Sequence, residues 1–159
     1  MMMDLPNRHL HIRFNTLVPD LDADVSKFER LIQGICEAFE IDHAAIDVSI
    51  VDDAGMIEVH REFLKKDNTT DVISFDLSDE LEPGRTFQLV VNADMAARQG
   101  RQRGHTTEAE LALYITHGML HNVGFDDIDE AQARKMHETE DMLLQRYGFG
   151  IIYYQDELD

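Results

Sequence analysis

Thr107-Glu-Ala-Glu-Leu-Ala-Leu-Tyr-Ile-Thr-His117-Gly-Met-Leu-His121-Asn-Val-Gly124-Phe-Asp126-Asp127 sets two histidines four residues apart inside an apolar run. At about 3.6 residues per turn, positions i and i+4 stand one above the other on one helix face. Two imidazoles placed that way can grip a single metal ion. The ends of the helix are marked too. Thr107 and Glu110 have capping-box spacing, and Gly124 sits where a helix-ending glycine belongs. Asp126 and Asp127 follow, where the chain turns back beside the histidines. Leu111, Ala112, Leu113, Tyr114, Ile115, Met119, Leu120 and Val123 cover nearly the whole circumference, which predicts a helix buried on most sides. Imidazoles there need partners, because unpaired buried polar groups are costly. The competing reading is a pair of core histidines satisfied by hydrogen bonds. Gly118 stands where an HExxH metalloprotease helix carries its glutamate, so the general base of that motif is absent.

Composition narrows the setting. The chain has 159 residues, of which 43% are apolar, enough for a globular core, and residues 1–159 read as one domain. The single cysteine, Cys36, excludes an internal disulfide framework, and its helical setting predicts a buried, reduced thiol. There is no membrane-spanning run, and the opening Met1-Met2-Met3-Asp4 is too short and too soon polar for a signal segment, so the cytoplasm is the expected compartment. The net charge of −18 works against general nucleic-acid binding, which relies on Lys and Arg at phosphates. Two local basic runs stand out: Arg98, Arg101, Arg103 and His105 before the histidine helix, and Arg61, Lys65 and Lys66. Each reads first as a solvated turn.

Taken in order, the chain alternates strands and helices. Residues 9–17 alternate polar and apolar as a strand. Asp24 caps a helix to about Phe39, with Phe28, Leu31, Ile32, Ile35 and Phe39 on its apolar face. Residues 45–52 form a second strand, and Asp53 caps a helix from Ala54 to about Lys66. Residues 71–76 and 87–92 are further strands, separated by a turn at Pro83-Gly84. Ala93–Gln99 is a short helix. After the histidine helix, Asp129 with Gln132 starts a last helix, which runs to about Tyr147 with Ala133, Met136, Met142 and Leu143 inward and Gly148 beyond its end. This order is that of an α+β fold, a sheet covered by helices.

The segment His117-Gly-Met-Leu-His121-Asn-Val-Gly-Phe-Asp126-Asp127 resembles the HGxLHLxGYDH motif of the YbeY family, bacterial rRNA maturation factors and proposed metal-dependent endoribonucleases. A second block, Val59-His-Arg-Glu-Phe-Leu64-Lys-Lys66-Asp67-Asn-Thr-Thr70-Asp71-Val72-Ile73-Ser74-Phe75, resembles the family's N-x-x-YRGKD-x-PT-[DN]-VLSF. The resemblance runs from roughly residue 46 to 145. It implies a small mixed four-stranded sheet packed against several helices, with a central metal-binding helix. It also implies that His117, His121 and Asp127 hold one divalent metal, zinc, with Asp127 in place of the family's third histidine; a carboxylate is an ordinary zinc ligand. His60 stands where asparagine is usual, Thr69 where proline is usual, Phe87-Gln88 where Gly-Asp is usual, and Leu64 where the family carries an arginine.

The function so implied is single-strand endoribonuclease activity in rRNA maturation and ribosome quality control, with precursor rRNA and the small ribosomal subunit as partners and no membrane. The metal would acidify a water and polarise a phosphoryl oxygen. Arg98, Arg101, Arg103, Lys65 and Lys66 become candidates for the phosphate groove. Asp126 and Lys66 are the candidate catalytic side chains, although capping or turn formation explains Asp126 equally well. Glu110 projects to the same face as His117, with the capping role as the alternative. His137 is a substitute ligand or a surface histidine. Two other functions fit the residues: a metallohydrolase of a non-RNA substrate, favoured by the acidic charge, and a ribosome-assembly factor with a structural metal, favoured by the loss at Leu64.

Overall fold

The computed structural model describes residues 8–150; Met1–Asp4 and the residues after 150 lie outside that range. The elements follow in the order β1 (His9–Thr16), α1 (Val25–Ala38), β2 (His43–Val51), α2 (Asp53–Leu64), β3 (Val72–Asp76), β4 (Arg85–Asn92), α3 (Ala93–Arg103), α4 (Thr107–Asn122) and α5 (Glu130–Arg146). The sheet order is β1-β2-β4-β3. β1 pairs parallel with β2, β2 parallel with β4, and β3 antiparallel with β4. This is the α+β fold with a mixed four-stranded sheet that the sequence and the resemblance predict.

Strand alternation divides the residues between two faces. Ile46, Val48, Ile50, Phe87, Leu89 and Val91 point to the face covered by α1, α4 and α5, and join Phe28, Leu31, Ile32, Ile35, Cys36, Met136, Leu143 and Leu144 in the main core. Cys36 is buried and free, and burial pushes its thiol pKa up to about 11. Met142, expected inward, is half exposed; the inner stripe of α5 is instead Met136, Glu140, Leu143 and Leu144.

α4 lies at the centre, packed against α1, α3, α5, β3 and β4. It meets the sheet closely at Gly118. A Cβ there would sit 2.9 Å from Leu89 Cδ2 and 3.2 Å from Val72 Cγ2. A side chain at 118, glutamate included, would have to push the Leu89 and Val72 side chains aside. The cap is one residue earlier than the capping box predicts: Thr106 accepts a hydrogen bond from Ala109 N at 3.0 Å. Glu110 is fully buried and pairs with Arg103 at 3.2 Å, so it belongs to the α3–α4 contact and not to the cap. Glu108 ties the same end to α1 by accepting from Asp24 N and Lys27 Nζ. At the other end Arg85 donates to the Asn122 carbonyl at 2.9 Å, satisfying one of the orphan acceptors of a helix terminus.

The loop between α2 and β3 is fastened by a polar knot. Asp52 is the cap of α2, accepting from Gly55 N, which leaves Asp53 free for tertiary contacts. Asp53 receives a bidentate pair of hydrogen bonds from Arg98 at 2.6 and 3.1 Å, and one each from Asn92 and Thr69. The buried Asn92 amide also donates to Thr69 Oγ1 and the Thr70 carbonyl. Thr69, at a position where the resembled family carries proline, thus has two partners here. His60 closes the other side of the loop through Nδ1 and the Asn68 carbonyl at 2.6 Å. The Arg98 hydrogen bond, opposed by burial and helped by Asn92 and Thr69, holds the Asp53 carboxyl at about 2, well below an ordinary aspartate.

Two outcomes are expected. Gly118→Val should lower the unfolding free energy by about 1–3 kcal/mol through overpacking against Leu89 and Val72, read from urea denaturation. Because the folded-state pKa of Asp53 is depressed, its contribution is full above about pH 4 and fades as pH falls toward about 2. The stability deficit of Asp53→Asn against wild type should therefore be largest near neutrality and shrink across that window. A deficit independent of pH would show that the Asp53 charge is not what fastens the loop.

Candidate metal centre

The two histidines meet as their spacing demands. His117 Nε2 and His121 Nε2 lie 3.1 Å apart, with the rings edge to face. Each ring is fixed from behind. His117 Nδ1 faces Glu140 Oε2 at 3.0 Å, and His121 Nδ1 faces the Phe125 carbonyl at 3.1 Å. A carboxylate and a carbonyl only accept, so both Nδ1 atoms must donate. In the neutral state both Nε2 atoms then carry lone pairs, aimed at one another across 3.1 Å. That arrangement is relieved by a proton on one Nε2, donated to the other, or by a metal ion held between the two nitrogens. Ligands on a tetrahedral zinc with bonds of about 2.0–2.1 Å stand roughly 3.3 Å apart, close to the observed separation.

The third group comes from the turn after α4. Val123 closes the helix, Gly124 takes φ +108°, and Phe125 N returns to the Leu120 carbonyl at 2.9 Å. The positive φ is a conformation that favours glycine. The turn delivers the Phe125 carbonyl to His121 and carries Asp127 to the same spot. Ligand atoms of His117, His121 and Asp127 all lie within 4.8 Å of one another. Asp126 accepts from Asp127 N at 2.8 Å, which fixes the backbone that aims Asp127. The donor set fits a divalent ion: two imidazole nitrogens with their tautomers already assigned, and one carboxylate at the solvent edge.

Electrostatics agree with that fit. Burial disfavours a charged His117, but the hydrogen bond and charge of Glu140 outweigh it, and the charges of Asp71 and Asp127 add to them, so its pKa is raised. The site is thus a pocket of negative potential built to favour positive charge. Glu140 is the residue that motif reading missed. It is fully buried, and its Oε1 has no hydrogen-bond partner. Its signal was present in the sequence: an acid in the i, i+4, i+7 row Met136, Glu140, Leu143, where a solvated glutamate does not belong.

The other sequence candidates are spread more widely. His137 is half-buried on α5 and is not part of the three-residue set. The basic run at 98–103 lies on α3, which extends to Arg103 rather than ending near Gln99. Arg98 is engaged by Asp53 and Arg103 by Glu110, while Arg101 is exposed with no ion pair among the described residues. Lys65 forms the left-handed C-cap of α2, and Lys66 follows it, exposed. Leu64 ends α2, 43% exposed.

Glu140→Gln keeps the shape but removes the charge behind His117, and should weaken divalent-metal affinity by about 10–100-fold while the chain stays folded. Competition titration with a chromophoric chelator measures this, and circular dichroism checks the fold. Unchanged affinity would show that Glu140 is only a space-filling partner.

Three comparisons bear on this geometry. A family model described as Endoribonuclease YbeY matches residues 15–148. The endoribonuclease YbeY of Halalkalibacterium halodurans is 31% identical over 144 residues, covering 84% of this chain and 86% of that protein. The one from Beutenbergia cavernae is 33% identical over 138 residues, covering 80% and 91%. The solution structure of TM1509 from Thermotoga maritima superposes with a TM-score of 0.58 at 22% identity, over 86% of this chain and 91% of that one, a likeness of fold. The matched span contains strands β2 to β4 with the end of β1, the knot at Asp53, and all three members of the His117, His121 and Asp127 group, and on that breadth the chain belongs to the endoribonuclease YbeY family.

Proposed function

We propose that this chain is a metal-dependent endoribonuclease that cuts single-stranded RNA in rRNA maturation and ribosome quality control, working in the cytoplasm on precursor rRNA at the small ribosomal subunit. The observation that carries the reading is the pair of Nε2 atoms at 3.1 Å with both tautomers fixed, in a chain of this family. Among the described residues, none of the helices is long and apolar enough to cross a membrane. His117, His121 and Asp127 would hold one divalent ion, zinc by the chemistry of the set. Three protein ligands is the number that catalytic zinc sites use, a structural site being closed by four. Such an ion acts as a Lewis acid toward a phosphoryl oxygen and lowers the pKa of water.

The chain's own residues do the rest. Glu140 holds the His117 ring and its proton, the Phe125 carbonyl does the same for His121, and Asp126 steadies Asp127. Of the five basic candidates, Lys65, Lys66 and Arg101 have no ion pair among the described residues, and so are the ones best able to meet phosphates. Arg98 and Arg103 belong to the same groove in this reading, with their charge already largely spent on Asp53 and Glu110. Lys66 and Asp126 are the side chains proposed to assist the chemistry.

Cleavage of a labelled single-stranded RNA should be slow, should need the metal, and should fall steeply as salt rises, because few phosphate contacts are available. His121→Ala and a chelator should each abolish it. Arg101→Ala should reduce RNA affinity more than Arg98→Ala. Leu64→Arg should raise the rate by supplying positive charge toward the developing oxyanion. Cleavage that survives both the chelator and His121→Ala belongs to a contaminant. A metal-loaded protein that cuts no RNA, with or without Leu64→Arg, overturns the reading.

A further inference from the structure

The sheet face turned away from α4 carries a groove that the metal site does not use. Alternation along the strands sends Val51, Val90 and Phe75 to this side, and α2 crosses above them with Met56 fully buried beneath it. Val59 and Phe63, one turn apart on α2, form one wall. Leu17 and Leu77, at the ends of β1 and β3, form the far side, and the space between is about 300 Å³. Phe63 lies edge-on to Phe75 with ring centroids 5.8 Å apart. Three of the lining side chains are large, apolar and wet: Leu17 59%, Phe63 60% and Leu77 56% exposed. Single exposed apolar residues are ordinary, but a contiguous set around a groove marks a contact surface.

The rim has a definite charge. Helix geometry puts Glu58 and Glu62 one turn apart on the flank of α2 beside Val59 and Phe63. The loop that follows Leu77 brings Glu80 and Glu82, both exposed. None of these four acids has an ion-pair partner among the described residues. Arg61 is engaged by Asp67 and Arg85 by Asp76, which leaves Lys65 and Lys66 at the end of α2 as the cations next to these acids in sequence. Four carboxylates on the segments that wall the trough outnumber those two lysines, and the resulting negative charge disfavours phosphates. It also disfavours a second copy of this chain, which carries the same net charge of −18.

We propose that this groove docks a cationic segment of a partner protein, one that sets large apolar side chains between Phe63 and Leu77 and lysine or arginine against Glu58, Glu62, Glu80 and Glu82. Because the groove and the histidine pair lie on opposite faces of the sheet, the partner and an RNA would be held at the same time.

The test uses the full chain and a fluorescein-labelled synthetic peptide of alternating lysine and leucine, followed by anisotropy. An oligolysine and a peptide of alternating glutamate and leucine serve as controls. The lysine–leucine peptide should bind saturably, and both controls at least about tenfold more weakly. Glu58→Lys with Glu62→Lys should weaken binding by about tenfold or more, and Leu77→Ser by about tenfold. Melting curves and metal content should stay as in wild type, since these residues are exposed and remote from the histidines. Oligolysine binding as tightly as the mixed peptide would reduce the groove to general acidity. Equal binding of the glutamate–leucine peptide would reduce it to general stickiness. Displacement of the bound peptide by a single-stranded RNA, dimers in light scattering that mask the groove, or indifference to both sets of substitutions would each overturn the proposal. The readout is binding alone, so it stands whether or not the chain cleaves RNA.

Discussion

The hydrogen bond from His117 Nδ1 to the buried Glu140 carboxylate is the contact on which the centre depends. A carboxylate with no exposure is expensive to bury, and it stays ionised only where positive charge or donated hydrogen bonds compensate. Glu140 has one such donor, His117, while its second oxygen goes unpartnered. The cost is therefore met fully only when the histidine edge beyond carries positive charge. A cation between the two Nε2 atoms would supply it, and would couple occupancy of the site to the packing of α5 on α4.

That coupling explains why so much of the chain is arranged around α4. Gly118 lets the helix sit directly on Leu89 and Val72, so the histidines flanking that contact are set at a fixed height above the sheet. Thr106 caps the beginning of the helix, Glu108 fastens it to α1 and Glu110 fastens it to α3. Arg85 and the Gly124 turn fasten its end. A ligand set needs positions held to about half an ångström, and rigid elements provide this better than loops do. Only Asp127 rides on a turn, and Asp126 steadies its backbone.

The departures from the family pattern differ in their consequences. His60 and Thr69 have found local partners, Asn68 and the Asp53–Asn92 knot, so the loop before β3 is closed by other means. Asp127 keeps a metal-competent donor where the family has histidine. Leu64 brings no such compensation: an apolar side chain replaces a cation at the exposed end of α2, within an acidic chain whose remaining free cations are few.

The histidine helix, the meeting of His117 with His121 and most element boundaries were legible in the sequence, because they are set by local rules. Helical periodicity puts His117 and His121 on one face, period-two alternation marks the strands, and Asp24 and Asp129 cap as their side-chain chemistry predicts. The errors were local ambiguities with equivalent neighbours. Thr106 competes with Thr107 for one cap, and Asp52 with Asp53 for another, and only the tertiary role of Glu110 and Asp53 settles which residue is left to cap. The partner of His117, the ion pairs that engage Arg98 and Arg103, and the apolar groove under α2 were decided by tertiary structure alone. Glu140 lies 23 residues beyond His117 and Asp53 lies 45 before Arg98. No period along the chain encodes such pairings; they exist only once the helices have packed, when a buried charge must find whichever opposite group the fold has brought beside it.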